Sequence, residues 1–109
     1  MTGCNRTEAL YAIFLDGAHG LIEFELLDRG GVDSCQIEAS VMVLRAVDVG
    51  TRAMIVAHNH PSGDPRPSRA DCAFVTRLAN ACALFQIVLV DAIIVTERGF
   101  SSHRALGFL

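Results

Sequence analysis

Residues 58–71 read HNHPSGDPRPSRAD, from His58 to Asp71, and this stretch joins the end of one element to the start of the next. Upstream, RAMIVA (52–57) is a short apolar run that reads as a strand leading straight into His58. Side chains two apart on a strand share a face. His58 and His60 can therefore aim both imidazoles at one point, while Asn59 faces away. The loop PSGDPRP holds all three prolines of the chain and a glycine, which restricts its course. It delivers Ser68-x-x-Asp71, with the carboxylate in the first turn of a helix. Two imidazoles and one carboxylate, with a fourth position left for solvent, form the ligand set of a catalytic zinc site. Ser68-x-x-Asp71 is equally a capping box with Asp in place of the usual Glu or Gln. Taken alone, capping is the more economical reading of the pair, and a lone His-x-His is more often surface structure. The stiff loop between them reverses that balance. Ser68 can also cap the helix and still present its hydroxyl to a substrate.

Working outward, ALYAIFLD (9–16), GAHG and LIEFELL (21–27) predict an antiparallel hairpin. In its second strand Ile22, Phe24 and Leu26 form the buried side, and Glu23 and Glu25 the wet one. DRGGVD is a turn and SCQIE reads as a short strand. From Ser40, Val41, Leu44 and Val47 recur at helical spacing, with Val43 close to the same stripe and Gly50 as a stop. After Ser68, the positions Phe74, Leu78, Ala81 and Phe85 predict one buried helical stripe. QIVLVDAIIVT (86–96) is nearly all apolar and predicts an interior strand covered on both faces. FSS reads as a last strand and HRALGFL as a terminal turn. Helices mixed with antiparallel hairpins predict an α+β class rather than a doubly wound one.

Composition bounds the function. At 109 residues the chain is one domain, and with 51% apolar and 19% charged residues it reads as globular. No apolar run approaches the ~20 residues of a membrane span, and MTGCNRTEAL lacks the pattern of a signal peptide. A net charge of −3, with nine arginines and no lysine, argues against non-specific gripping of DNA and excludes lysine-based catalysis. Cys4, Cys35, Cys72 and Cys82 lie 31, 37 and 10 residues apart, without a CxxC pair. Reduced thiols in a cytoplasmic protein are the expectation, rather than cysteine-held zinc.

The spacing His58-x-His60, seven residues, Ser68, two residues, Asp71 fits the JAMM signature H-x-H-x7-S-x2-D of the JAB/MPN domain without a gap. More narrowly, AHNHPSGDPRPSRAD resembles the version found in the bacterial RadC family. The resemblance extends from LYAIFLD to GFSSHRALGFL and so covers essentially the whole chain, as a single JAB/MPN domain over 1–109. It implies a mixed, mostly antiparallel sheet flanked by helices, a cytidine-deaminase-like α/β/α sandwich. It also implies one Zn2+ per chain held by His58, His60 and Asp71. A general base is implied a few residues before the LD that ends the first strand, which here is Glu8, with Glu23, Glu25 and Glu38 as rivals. Ser68 would stabilise the oxyanion, and the reaction would be hydrolysis of a peptide or isopeptide amide.

Departures from the family pattern leave alternatives open. Relatives usually read Asp-His where this chain has Asp91-Ala92. Asp91 is expected either to orient a ligand imidazole or to bond backbone within the core. Relatives typically carry Phe where His103 stands, so His103 reads as a surface residue or as part of the substrate cleft; His19, in a turn, reads as exposed. The helix-hairpin-helix region that precedes the domain in full-length RadC proteins is not among these residues, so the expectation is a stand-alone domain or a fragment. A DNA-repair-associated accessory or scaffold role without turnover is the alternative function, and an edge strand could support a homodimer. The letters HNH do not signal an HNH nuclease, whose three residues are spread over a longer ββα-metal motif.

Overall fold

A computed structural model describes residues 9–29 and 39–109, and the side chains of all of these but 28 and 29. Glu8, Glu38, Cys4, Cys35 and the expected SCQIE strand lie outside the described residues. The element order is β1 (Ala9–Leu15), β2 (Leu21–Arg29), α1 (Ala39–Val49), β3 (Ala53–Asn59), α2 (Arg69–Leu84), β4 (Val88–Thr96) and β5 (Gly99–Ser102). One five-stranded sheet runs in the order β2-β1-β3-β4-β5. The β1–β2, β1–β3 and β4–β5 pairings are antiparallel, and only β3–β4 is parallel, with α2 as its crossover. This is the α+β class that the sequence predicts, and it agrees with a JAB/MPN-like fold.

The expected hairpin forms. Asp16 closes it by accepting hydrogen bonds from the Ala18 and Gly20 N–H groups, each at 2.8 Å. His19 takes the left-handed conformation there, with φ 66°, and is exposed as expected. Leu10, Ala12 and Phe14 of β1, Met54 and Val56 of β3, and Leu89 and Ala92 of β4 point to one face. There they meet Met42, Val43 and Ala46 of α1 and Val75, Leu78 and Cys82 of α2. Both described helices therefore lie on the same side of the sheet, and no described helix forms a third layer.

The helices occur where their periodicity places them, but they turn different faces inward. In α1 the predicted stripe is outside: Val41, Leu44 and Val47 are 50%, 62% and 44% exposed. Of the positions read with that stripe only Val43 is buried, alongside Ala39, Met42 and Ala46. The helix is apolar on two sides, so hydrophobicity alone cannot orient it. Alanines at 39 and 46 allow close approach to the sheet, and Arg45 must reach β2. Its guanidinium pairs with Glu25 at 2.5 Å, Glu23 at 3.2 Å and Asp48 at 2.8 Å. That clamp also reverses the expectation for β2. Glu23 and Glu25 face the helix, while Ile22, Phe24 and Leu26 are exposed on the opposite face. There Phe24 stacks on Tyr11, with ring centroids 5.3 Å apart.

In α2 the buried line is Val75, Leu78 and Cys82. Phe74 and Ala81 only flank the core, and Phe85, at the C-cap, is exposed. β4 lies inside the sheet, but Val88 and Val95 are exposed, so it is not covered on both faces as predicted. Cys72 and Cys82 are free, and burial pushes the Cys82 thiol up to about 11. Among the described residues no helix is long and apolar enough to cross a membrane.

Candidate metal centre

The histidines stand at the end of β3, where the sheet stops and the chain must cross to α2. His58 is opposite Leu10 on one side and Ile94 on the other, so its side chain lies on the helix-bearing face. His60 is held by its own N–H, which donates to Val95 O at 3.1 Å. The two rings lie 4.9 Å apart between centroids. Asn59 points to the other face as expected, and its Oδ1 accepts from the Ala9 N–H at 2.6 Å.

At the far end of the loop, Ser68 is the N-cap of α2. The capping box is complete: Ser68 Oγ accepts from the Asp71 N–H at 3.0 Å, and Asp71 Oδ2 accepts from the Ser68 N–H at 2.7 Å. The same carboxylate meets the histidines. Asp71 Oδ1 is 3.4 Å from His58 Nε2, and Oδ2 is 3.0 Å from His60 Nε2. Capping and convergence on the imidazoles, the two competing readings of this motif, are both realised in one side chain. Burial would raise the Asp71 carboxyl, but the His58 imidazole and the Ser68 backbone and hydroxyl hold it well below the usual carboxylate range.

Two features of this cluster suit a cation. The ligand atoms of His58, His60 and Asp71 all lie within 4.8 Å of one another. Asp71 offers one oxygen to each imidazole, Oδ1 to His58 and Oδ2 to His60, so both Nε2 atoms face the same carboxylate. In addition, His60 has an acceptor opposite each ring nitrogen. Nδ1 lies 2.9 Å from the Asp64 carbonyl oxygen, which can only accept, and Nε2 faces the carboxylate. A neutral imidazole has one N–H, so the arrangement calls for an imidazolium or for a cation between Nε2 and Asp71. The residues present therefore fit a metal of the zinc type.

Beside the cluster is a cleft of ≈ 420 Å³ lined by His60, Ser62, Asp64, Arg66, Pro67 and Ser68. Arg66 folds back on Asp64 through contacts of 3.0, 3.1 and 2.8 Å, and this pairing lowers the Asp64 carboxyl to about 2.

Not every expected residue joins the site. The carboxyl of Asp91 is committed elsewhere, to the Ser102 hydroxyl and the N–H groups of Ala92 and Arg104, and no imidazole is among these partners. This corrects the expectation that it orients a ligand; its register opposite Ile55 puts it on the other face of the sheet from His58. Glu23 and Glu25 are taken by Arg45. Glu8 lies outside the described residues. His103 is not on the surface: it is fully buried, with Nδ1 2.9 Å from Ala92 O. The Asp64 carbonyl had no signal in the sequence, because a backbone oxygen carries no residue signature.

Comparison with known proteins agrees with this geometry. The family model described as the RadC-like JAB domain matches residues 1–108, and the chain belongs to that family. It is 39% identical to a UPF0758 protein of Coxiella burnetii over 96% of this chain and 47% of that protein. It is 42% identical to one from Vibrio cholerae over 86% of this chain and 60% of that protein. A third, from Aquifex aeolicus, is 36% identical over 95% of this chain and 45% of that protein. The chain thus spans about half the length of the curated relatives it matches.

Proposed function

We propose that the domain is a zinc-dependent amide hydrolase acting on peptide or isopeptide bonds. The observation that carries this reading is the meeting of His58, His60 and Asp71 beside an open cleft, with Ser68 at its wall. Zinc held by those three residues would supply Lewis acidity, bringing the pKa of a water toward ~7 and polarising the scissile carbonyl. Ser68 is suited to the developing oxyanion. Its oxygen already accepts the Asp71 N–H, which leaves its own O–H proton free to be donated into the cleft. Glu8 is the proposed proton carrier, taking a proton from the attacking water and returning it to the leaving amine. In support, the first strand begins at the metal cluster, with Leu10 opposite His58.

The test combines metal analysis with turnover. Purified protein should carry about one zinc per chain. It should cleave members of a peptide and isopeptide panel. Glu8→Ala should keep the zinc and lose roughly 10²–10⁴ in rate; Ser68→Ala should lose roughly 10²–10³. Zinc-replete protein that cleaves nothing in the panel would favour the accessory or scaffold reading. Duplex DNA binding that is strong, salt-dependent and indifferent to the motif variants would point to a nucleic-acid role.

A further inference from the structure

The loop between His60 and Ser68 is bonded mainly to itself. Gly63 N–H donates to His60 O, Asp64 N–H to Ser62 Oγ, and Arg66 to the Asp64 carboxylate. Beyond His60, whose own N–H donates to Val95 O, one hydrogen bond among the described residues reaches the loop over 61–67 from another strand or helix. Ser101 of β5 donates its hydroxyl to Pro65 O at 2.5 Å. Ser101 is opposite Ile94, and Ile94 is opposite His58, so the three stand in one row across β5, β4 and β3 on the helix-bearing face. The hydroxyl thus holds the peptide next to the one that orients His60, since Asp64 O is the acceptor facing His60 Nδ1.

We propose that Ser101 is a positioning residue for the metal ligand His60. By tethering Pro65, it keeps the Asp64 carbonyl against Nδ1. Nδ1 then retains its proton, and the Nε2 lone pair is directed toward Asp71. Proline at 65 contributes, since its ring limits the backbone to a narrow φ range, and a single tether suffices to fix the neighbouring carbonyl. Partners that orient a ligand imidazole typically contribute 10–100-fold in metal affinity. Ser101 acts one peptide further out, so the expected effect is about tenfold, the lower end of that range. The inference rests on the metal reading above but requires no knowledge of the substrate.

The experiment measures zinc dissociation constants of the whole chain by competition with a chromophoric chelator. Wild type is compared with Ser101→Ala, Ser101→Thr and Ser101→Val, and the cobalt-substituted spectra are recorded alongside. Thr and Val have the same shape and both suit a strand, so their difference isolates the hydroxyl even if the Ala variant fails to fold. The expected result is zinc binding about tenfold weaker in Ala and Val, near wild type in Thr, with the cobalt ligand-field bands altered only in the first two. Variants that melt earlier yet keep wild-type zinc affinity overturn the positioning role and leave the metal reading intact. Wild-type protein that binds no zinc overturns both.

Discussion

His103 has a ring nitrogen, Nε2, that is buried without a hydrogen-bond partner among the described residues. Its other nitrogen faces Ala92 O, which already accepts the His103 backbone N–H at 3.0 Å. An unpaired buried acceptor costs about 1–3 kcal/mol, and the carbonyl stays satisfied if the ring loses its nitrogens. His103→Phe, which keeps the edge contact with Phe108, should therefore raise the thermal midpoint by several degrees; a fall would show that Nε2 is satisfied after all. Asp91 makes the opposite case. Burial would raise its carboxyl, but Ser102, Arg104 and Ala92 donate to it and lower it overall. Its stabilisation is complete above the unfolded value of ~3.9 and is lost as pH falls through the lower folded value. Asp91→Asn should be less stable than wild type at pH 7, and urea midpoints of the two should converge as pH falls below the unfolded value of ~3.9. A gap that stays constant with pH would rule out the charge as its origin. The sequence marked both residues as unusual, but burial of His103 and the partners of Asp91 depend on chain segments far away, which no local pattern records.

The elements themselves were largely legible. The hairpin, both helices and the strand that ends in His58 follow from period and turn chemistry, and the spacing from His58 to Asp71 proved to be a spatial cluster. Facing was not legible. Where a helix has apolar residues on two sides, as in α1, the inward side is decided by the fit of Ala39 and Ala46 and by the reach of Arg45. That account predicts an asymmetry between neighbours. Leu44→Gln should change stability by no more than about 0.5 kcal/mol, whereas Met42→Ala, emptying a fully buried position, should cost about 2–5 kcal/mol. Chemical denaturation of the two variants decides it; equal losses would mean that the outer stripe is covered.

Across the whole molecule, the parallel β3–β4 pair was the feature the sequence did not announce, since periodicity gives no strand order. It is also what lets α2 cross back over the sheet with its first turn beside the strand tip that carries the histidines. A cation bound there would join strand and helix, and binding to the folded state alone would add about 2.7 kcal/mol when free zinc is a hundredfold above its dissociation constant. Thermal scans with and without zinc should show that gain in wild type and none in Asp71→Asn, and a chelator should reverse it. The metal-free Asn variant should still fold, because Asn can accept the Ser68 N–H through its side-chain oxygen. It should melt somewhat below wild type at pH 7, since the lowered Asp71 carboxyl stabilises the folded state there. The carboxylate that closes the cluster is the same group that starts the helix. One codon change, Asp to Asn, therefore separates the two roles, and a lineage of this domain can lose any cation held there more easily than it can lose the architecture itself.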